Sequence, residues 1–223
     1  MRSLPYSIEA FFAVMEQVNQ FWFPAVIVAA GLMLIAVFLI TQPPSVASAN
    51  RSRIVGGILA VSWIWVGAAH QLEHMADLNF MAPVYGIAWI VQGVLIAFTC
   101  ILSGRIRFSV RGSNRGWVGL GIALFGLFIY PAAMLLVGVD WRALPLAGMA
   151  PVPTAIVTAG ILLTAQDRPP LHLFVIPLAW ACVAAMTAYQ LDFPLDYAVP
   201  AAVVAAFAIA IQANRRREAA SPG

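Results

Sequence analysis

Apolar residues in this chain come in long unbroken runs, with neither the alternation of a half-buried strand nor the narrow stripe of a soluble helix. Runs of about 20 apolar residues are what is needed to cross a ~30 Å hydrocarbon core. Lipid offers the backbone no hydrogen-bond partner, so such runs must be helices. The pattern predicts seven spans: Phe21–Ile40, Ile54–His74, Phe80–Leu102, Trp117–Val137, Val152–Thr164, Leu171–Tyr189 and Tyr197–Ala213, of which the fifth is the shortest. Ahead of them, Ile8, Phe11, Met15, Val18 and Trp22 recur at helical spacing with Glu9 and Glu16 among them. This predicts an amphipathic helix within residues 1–20, lying in the membrane interface. The short alternating strands of a membrane barrel are absent.

Composition agrees. Of 223 residues, 62% are hydrophobic and 9% charged, where a soluble domain carries about a quarter charged residues. No cleavable signal is expected, because Met1–Gln20 has a single arginine, two glutamates and no small-residue cleavage site. Cys100 and Cys182 fall inside predicted spans and read as small packing residues.

Charge then orients the chain. All twelve cationic side chains are arginines, and there is no lysine. With seven spans, alternate loops share a side. Arg51, Arg53, Arg105, Arg107, Arg111, Arg115, Arg168, Arg215, Arg216 and Arg217 then fall on one face, and only Arg2 and Arg142 on the other. By the positive-inside rule the N-terminus is outside and the C-terminus inside. The arginine-rich tail at residues 214–223 reads as an anchor touching anionic headgroups, not as a nucleic-acid site. Without a lysine no retinal Schiff base can form, which excludes a retinal pump or photoreceptor.

Segments of the first half return in order in the second. "FPAVIVAAGLML" is followed by "VPTAIVTAGILL", "AAHQLE" by "TAYQLD" and "LNFMAP" by "LDYAVP", with seven residues from Pro24 to Gly31 and again from Pro153 to Gly160. The fold class expected is therefore an all-α, seven-helix polytopic membrane protein forming one integral domain. It is built as a 3+1+3 parallel repeat: residues 21–102 and 152–213 as triplets joined by the span 117–137. Small transporters made of two three-helix bundles have this architecture, with substrate held between the halves.

Candidate chemistry is sparse and concentrated in "GAAHQLEHMADLN", which begins at Gly67. On an α-helix, positions i, i+3, i+4 and i+7 share a face, and His70, Glu73, His74 and Asp77 have this spacing. Paired histidines with a nearby carboxylate can bind a transition metal such as zinc. HQLEH also fits the inverted zinc-peptidase pattern. The plainer reading is the hydrated outer end of a helix, where polar residues are cheap. Other polar side chains inside spans are few: Gln92, Ser62, Thr154, Thr158 and Tyr130 beside Pro131. Gln92 must turn inward, since lipid would leave its amide unsatisfied. Pro131 implies a kink, and the segment "GVDWRALPLAGMAPVPT" an ordered cap over the outer end.

The stretch "WIWVGAAHQLEHMADLNFMAPVYGIAWIVQG", with the "YP" of the fourth span and "PVPTAIVTAGILL", resembles a family of small bacterial multi-span membrane proteins. That family is a domain of unknown function, some members loosely labelled permease. The resemblance covers most of the chain and rests on His70, Asn79, Ala82, Gly86, Gln92, Tyr130, Pro131, Gly148, Pro151, Pro153 and Thr154. The chain departs from it at Val139, where a histidine is common, at Val152, where a cysteine is, and at Glu73 and His74, where aromatic residues are usual. The resemblance implies that His70, and not the whole HQLEH string, is the shared element.

The leading expectation is a secondary or facilitative permease for a small solute, multi-pass in the plasma membrane. Its pathway would be lined by His70, Asn79, Gln92, Tyr130 and Thr154. Its partners are membrane lipid and an unidentified solute, and no cofactor is expected. His70 is the one pathway residue that changes charge near neutral pH. The alternatives are a metal-dependent intramembrane hydrolase acting on lipid at His70, Glu73, His74 and Asp77, and a non-catalytic sensor or assembly partner.

Overall fold

The apolar runs become helices at nearly the expected places. The computed structural model describes residues 6–43 and 48–220. It contains α1 (Ile8–Phe21), α2 (Phe23–Thr41), α3 (Ser48–Met75), α4 (Ala82–Leu102), α5 (Asn114–Leu136), α6 (Pro151–Leu163), α7 (Leu171–Leu191) and α8 (Pro194–Ala219). There is no strand among the described residues, only one isolated bridge between Phe108 and Ala165. Six helices, α2–α5, α7 and α8, are 19 to 28 residues long and apolar enough to cross a membrane. Arg2 lies outside the described residues.

The fifth expected span differs from the others. Helix α6 has 13 residues, and all of them are buried. At 1.5 Å per residue it measures ~20 Å, short of the ~30 Å hydrocarbon core. It can be short because protein surrounds it, and irregular backbone at its ends is tolerated only where protein buries it. α6 packs chiefly against α5 and α8. Its small residues allow that approach: a Cβ placed on Gly160 would sit 2.5 Å from the carbonyl oxygen of Gly119 and the amide of Ala123. Its two threonines are satisfied inside the protein. Thr158 Oγ1 accepts the indole N–H of Trp63 at 2.9 Å, and Thr154 Oγ1 donates to the Ala150 carbonyl at 2.6 Å.

Helix ends collect in two groups. At one, Val110 N–H donates to Ile40 O (2.9 Å), Ser109 N–H to Thr164 O (3.0 Å) and Gln166 N–H to Arg107 O (2.8 Å). At the other, Asn19 Nδ2 of α1 donates to the carbonyls of Arg142 and Leu144 at 2.8 and 2.9 Å, and Phe12 meets Phe193 edge-on. The Gly- and Pro-rich segment after α5 is thus an ordered cap, as its sequence suggested. α1 packs onto the bundle: Met15 and Val18 are buried, and the helix lies against the Trp141–Ala143 turn.

The kink expected at Pro131 takes a particular form. Residues Phe125–Ile129 are wound as a π-helix before α-helical winding resumes at Tyr130. A wider turn absorbs the missing proline N–H and its clash with the preceding carbonyl.

The two triplets of the expected repeat are packed in different orders. In the first triplet, α3 lies between α2 and α4. In the second, α8 lies between α6 and α7, which barely touch. Similar segments at matching places in the sequence have been built into two different helix arrangements, because the second triplet wraps around a buried short helix and the first has none.

Candidate functional site

The site begins with how α3 ends. From Val66 to Met75 the helix is wound with π geometry, its hydrogen bonds running between residues five apart. Side chains at i, i+3 and i+7 then no longer share a face. His70, Gln71 and Met75 are buried, whereas Glu73 and Asp77 are exposed. Glu73, His74 and Asp77 border a shallow groove against Val14 and Gln17 of α1, and the indole N–H of Trp22 donates to His74 Nε2 at 3.3 Å. The metal set expected from the sequence is thus split between the inside and the outside of the bundle. No group of three or more His, Cys, Asp or Glu that could hold a metal ion occurs among the described residues.

His70 faces a small chamber beneath α1, with a cavity volume of about 50 Å³. That is room for a few heavy atoms, an ordered water needing about 10–15 Å³ by the same measure. His70 is 2% exposed. Its Nε2 lies 3.3 Å from Met15 Sδ of α1, and its Nδ1 has no partner. Across the chamber stands Asp196, in the first turn of α8 and 5% exposed. Its Oδ1 accepts the phenol O–H of Tyr130 at 2.5 Å, which fixes the carboxyl from α5. The described ion pairs are Arg168–Glu218 and Arg217–Asp167, so no described cation pairs with Asp196.

The remaining walls are mostly apolar, with Tyr6, Phe11, Tyr85 and Trp180 as their aromatic members. Tyr85 and Trp180 meet edge-on at 5.8 Å, and Tyr6 and Phe11 line the side toward α1. The buried indole N–H of Trp180 has no partner. Asn79 holds the chain entering α4, its Oδ1 accepting Met81 N–H at 3.0 Å, and it hydrogen-bonds Tyr6. Burial pushes the Tyr6 phenol above its ordinary pKa of 10.0, while the Asn79 bond pulls the other way.

The expected pathway residues divide. His70 and Asn79 line the chamber, and Tyr130 lies behind it as the anchor of Asp196. Gln92 is fully buried but elsewhere: its Nε2 donates to the Leu173 carbonyl at 2.7 Å, tying α4 to α7, and its Oε1 is unpartnered. Thr154 also lies away from the chamber, where its Oγ1 accepts the Gly148 N–H at 2.8 Å and so fixes the turn into α6. That turn needs glycine, with φ +93° at Gly148. Sequence reasoning singled out neither Asp196 nor Gln71 and Thr187, all of which line the chamber. One signal for Asp196 was present: "LNFMAP" and "LDYAVP" align it with Asn79, and the two meet at the same cavity.

A comparison with curated proteins finds no match, and neither does one with solved structures. The family comparison is positive over nearly the whole chain, taking in every residue of the chamber except Tyr6. Residues 8–221 match DUF6064, a family of unknown function, and the chain belongs to that family.

Proposed function

We propose that this protein is a permease or carrier for a small solute, and that the chamber beneath α1 is its binding site. The observation that carries the reading is the burial of two ionisable side chains, His70 and Asp196, from different helices around one small cavity. A buried carboxyl with no cationic partner is expensive, and proteins keep such groups in membranes chiefly for solute and proton pathways. In this reading the chain crosses the plasma membrane seven times, α6 included. The arginine-rich end faces the cytoplasm, and the chamber opens toward the acidic outer end. α1 is then the outer lid, and His70 and Asp196 are the groups that exchange protons or contact solute.

The walls favour a small cation of ammonium or methylammonium size. Aromatic faces attract cations, Asp196 supplies the counter-charge, and no arginine competes for the space.

Thermal unfolding of the purified full-length chain, with ammonium, methylammonium, acetate or urea added, tests the proposal. Ammonium or methylammonium is expected to raise the unfolding temperature of wild type and not of Asp196→Ala. Labelled methylammonium should then enter proteoliposomes saturably, and more slowly with His70→Ala. If none of the four probes shifts wild type, or if all shift Asp196→Ala equally, the chamber is not a cation site.

A further inference from the structure

A second cavity system lies at the opposite end of the bundle, along the seam between α5 and α8. These two helices touch little, because α6 sits behind them and packs against both. The head of the seam is a pocket of about 280 Å³. Four of its lining residues carry hydrogen-bond donors, Asn114, Arg115, Gln212 and Arg216, and none is an acid. The nearby acids are engaged by other arginines: Asp167 by Arg217 and Glu218 by Arg168. Arg216 has no ion pair among the described residues. Arg115 donates to the carbonyl of Ala165, which holds its guanidinium in place, and its buried Nε has no partner. The head also sits at the N-terminal end of α5, where the helix dipole favours an anion.

Below the head the seam turns apolar. Val118 lines both this pocket and a second, of about 420 Å³, which continues past Gly121, Ile122 and Phe125 toward Ala201 and Ala202 of α8. The small residues make the depth; a Cβ on Gly121 would meet nothing within 4 Å. From Arg115 to Phe125 the trough runs ~15 Å along α5, half of a ~30 Å core and therefore the depth of one leaflet.

A site of cationic donors opening into an apolar trough one leaflet deep matches a single class of molecule. We propose that the α5–α8 seam binds an anionic phospholipid, with its phosphate between Arg115 and Arg216 and one acyl chain in the trough from Val118 to Phe125. The inference is independent of the chamber, which lies at the other end of the bundle.

Native mass spectrometry of the delipidated full-length chain tests it, with phosphatidylglycerol, phosphatidylcholine of the same acyl chains, and glycerol phosphate as probes. Two arginines near a headgroup predict about 30-fold tighter retention of phosphatidylglycerol than of phosphatidylcholine, about fivefold of it from each arginine. Arg216→Gln should therefore lose about fivefold. Because Arg216 is exposed, its replacement does not threaten the fold, whereas Arg115→Gln also frees the Ala165 carbonyl and is read beside its melting curve. Gly121→Leu fills the trough without touching either arginine and should weaken both lipids. His70→Ala should change nothing. Equal retention of the two lipids would overturn the proposal, as would a phosphatidylglycerol preference untouched by Arg216→Gln. Glycerol phosphate binding as tightly as the lipid would show a free-anion site and overturn it too.

Discussion

The Tyr130–Asp196 contact is the one on which the chamber's shape depends most directly. The phenol O–H of α5 reaches the α8 carboxyl at 2.5 Å, with both residues 5% exposed or less. Tyr130→Phe removes only the donor. A buried acceptor that loses its partner costs about 1–3 kcal/mol, although hydrogen bonds between membrane helices average nearer ~0.6 and reach ~1.7 kcal/mol. The burial here and the carboxyl acceptor favour the upper part of that span, about 1–2 kcal/mol. For a chain of this size about 2–4 °C of unfolding temperature accompanies each kcal/mol, so the loss should be about 2–8 °C. The assay is a double-mutant cycle on detergent-solubilised protein: wild type, Tyr130→Phe, Asp196→Ala and the pair. The two residues should couple by at least about 0.5 kcal/mol. Asp196→Asn, which keeps an acceptor oxygen, should cost less than Asp196→Ala. If the two single losses simply add, the bond contributes nothing and the account of Asp196 as a held wall residue fails.

Other consequences can be checked alongside. Gly160→Val should sharply reduce the yield of folded protein, since even its first carbon meets backbone at 2.5 Å, whereas Gly121→Ala, with open space around it, should be neutral or gain up to about 1 kcal/mol as a better helix former. Size-exclusion profiles and melting curves distinguish the two, and equal behaviour would contradict the close approach of α5 and α6. Thr158→Val keeps its shape but strands the buried Trp63 N–H, so about 1–3 kcal/mol of stability should go; an unchanged melting temperature would mean that the indole finds another acceptor. Because the folded-state pKa of Tyr6 is raised above its ordinary 10.0, the folded protein holds that proton longer than the unfolded chain. Its contribution to stability therefore falls as pH rises past about 10. Proteolysis around α1 should accelerate there in wild type and less so in Tyr6→Phe.

The sequence made some of this architecture readable and concealed other parts, for physical reasons. The long apolar runs placed α2–α5, α7 and α8 to within about six residues at each end, because a helix in lipid has no alternative that satisfies its backbone. The shortness of the fifth run was visible, but its meaning was not: a 13-residue apolar stretch looks the same whether lipid or protein surrounds it. The His70–Asp77 stripe misled because spacing rules assume α-helical winding, and no local residue announces the π-turns that send His70 inward and leave Glu73 and Asp77 outside. Gln92 was rightly turned inward by its amide, yet its partner is a backbone carbonyl 81 residues away, which no spacing could name. Asp196 sits two residues after Pro194 and reads as a turn acid until the tertiary fold brings Tyr130 to it.

Helix α6 is buried along its whole length, and its two main neighbours are α5, made before it, and α8, made after it. During synthesis it must wait, already made, until α8 arrives to enclose it. A chain that stops before Pro194 therefore leaves this wholly buried segment open on one side. Completion of α8 is thus the event that closes the core around α6.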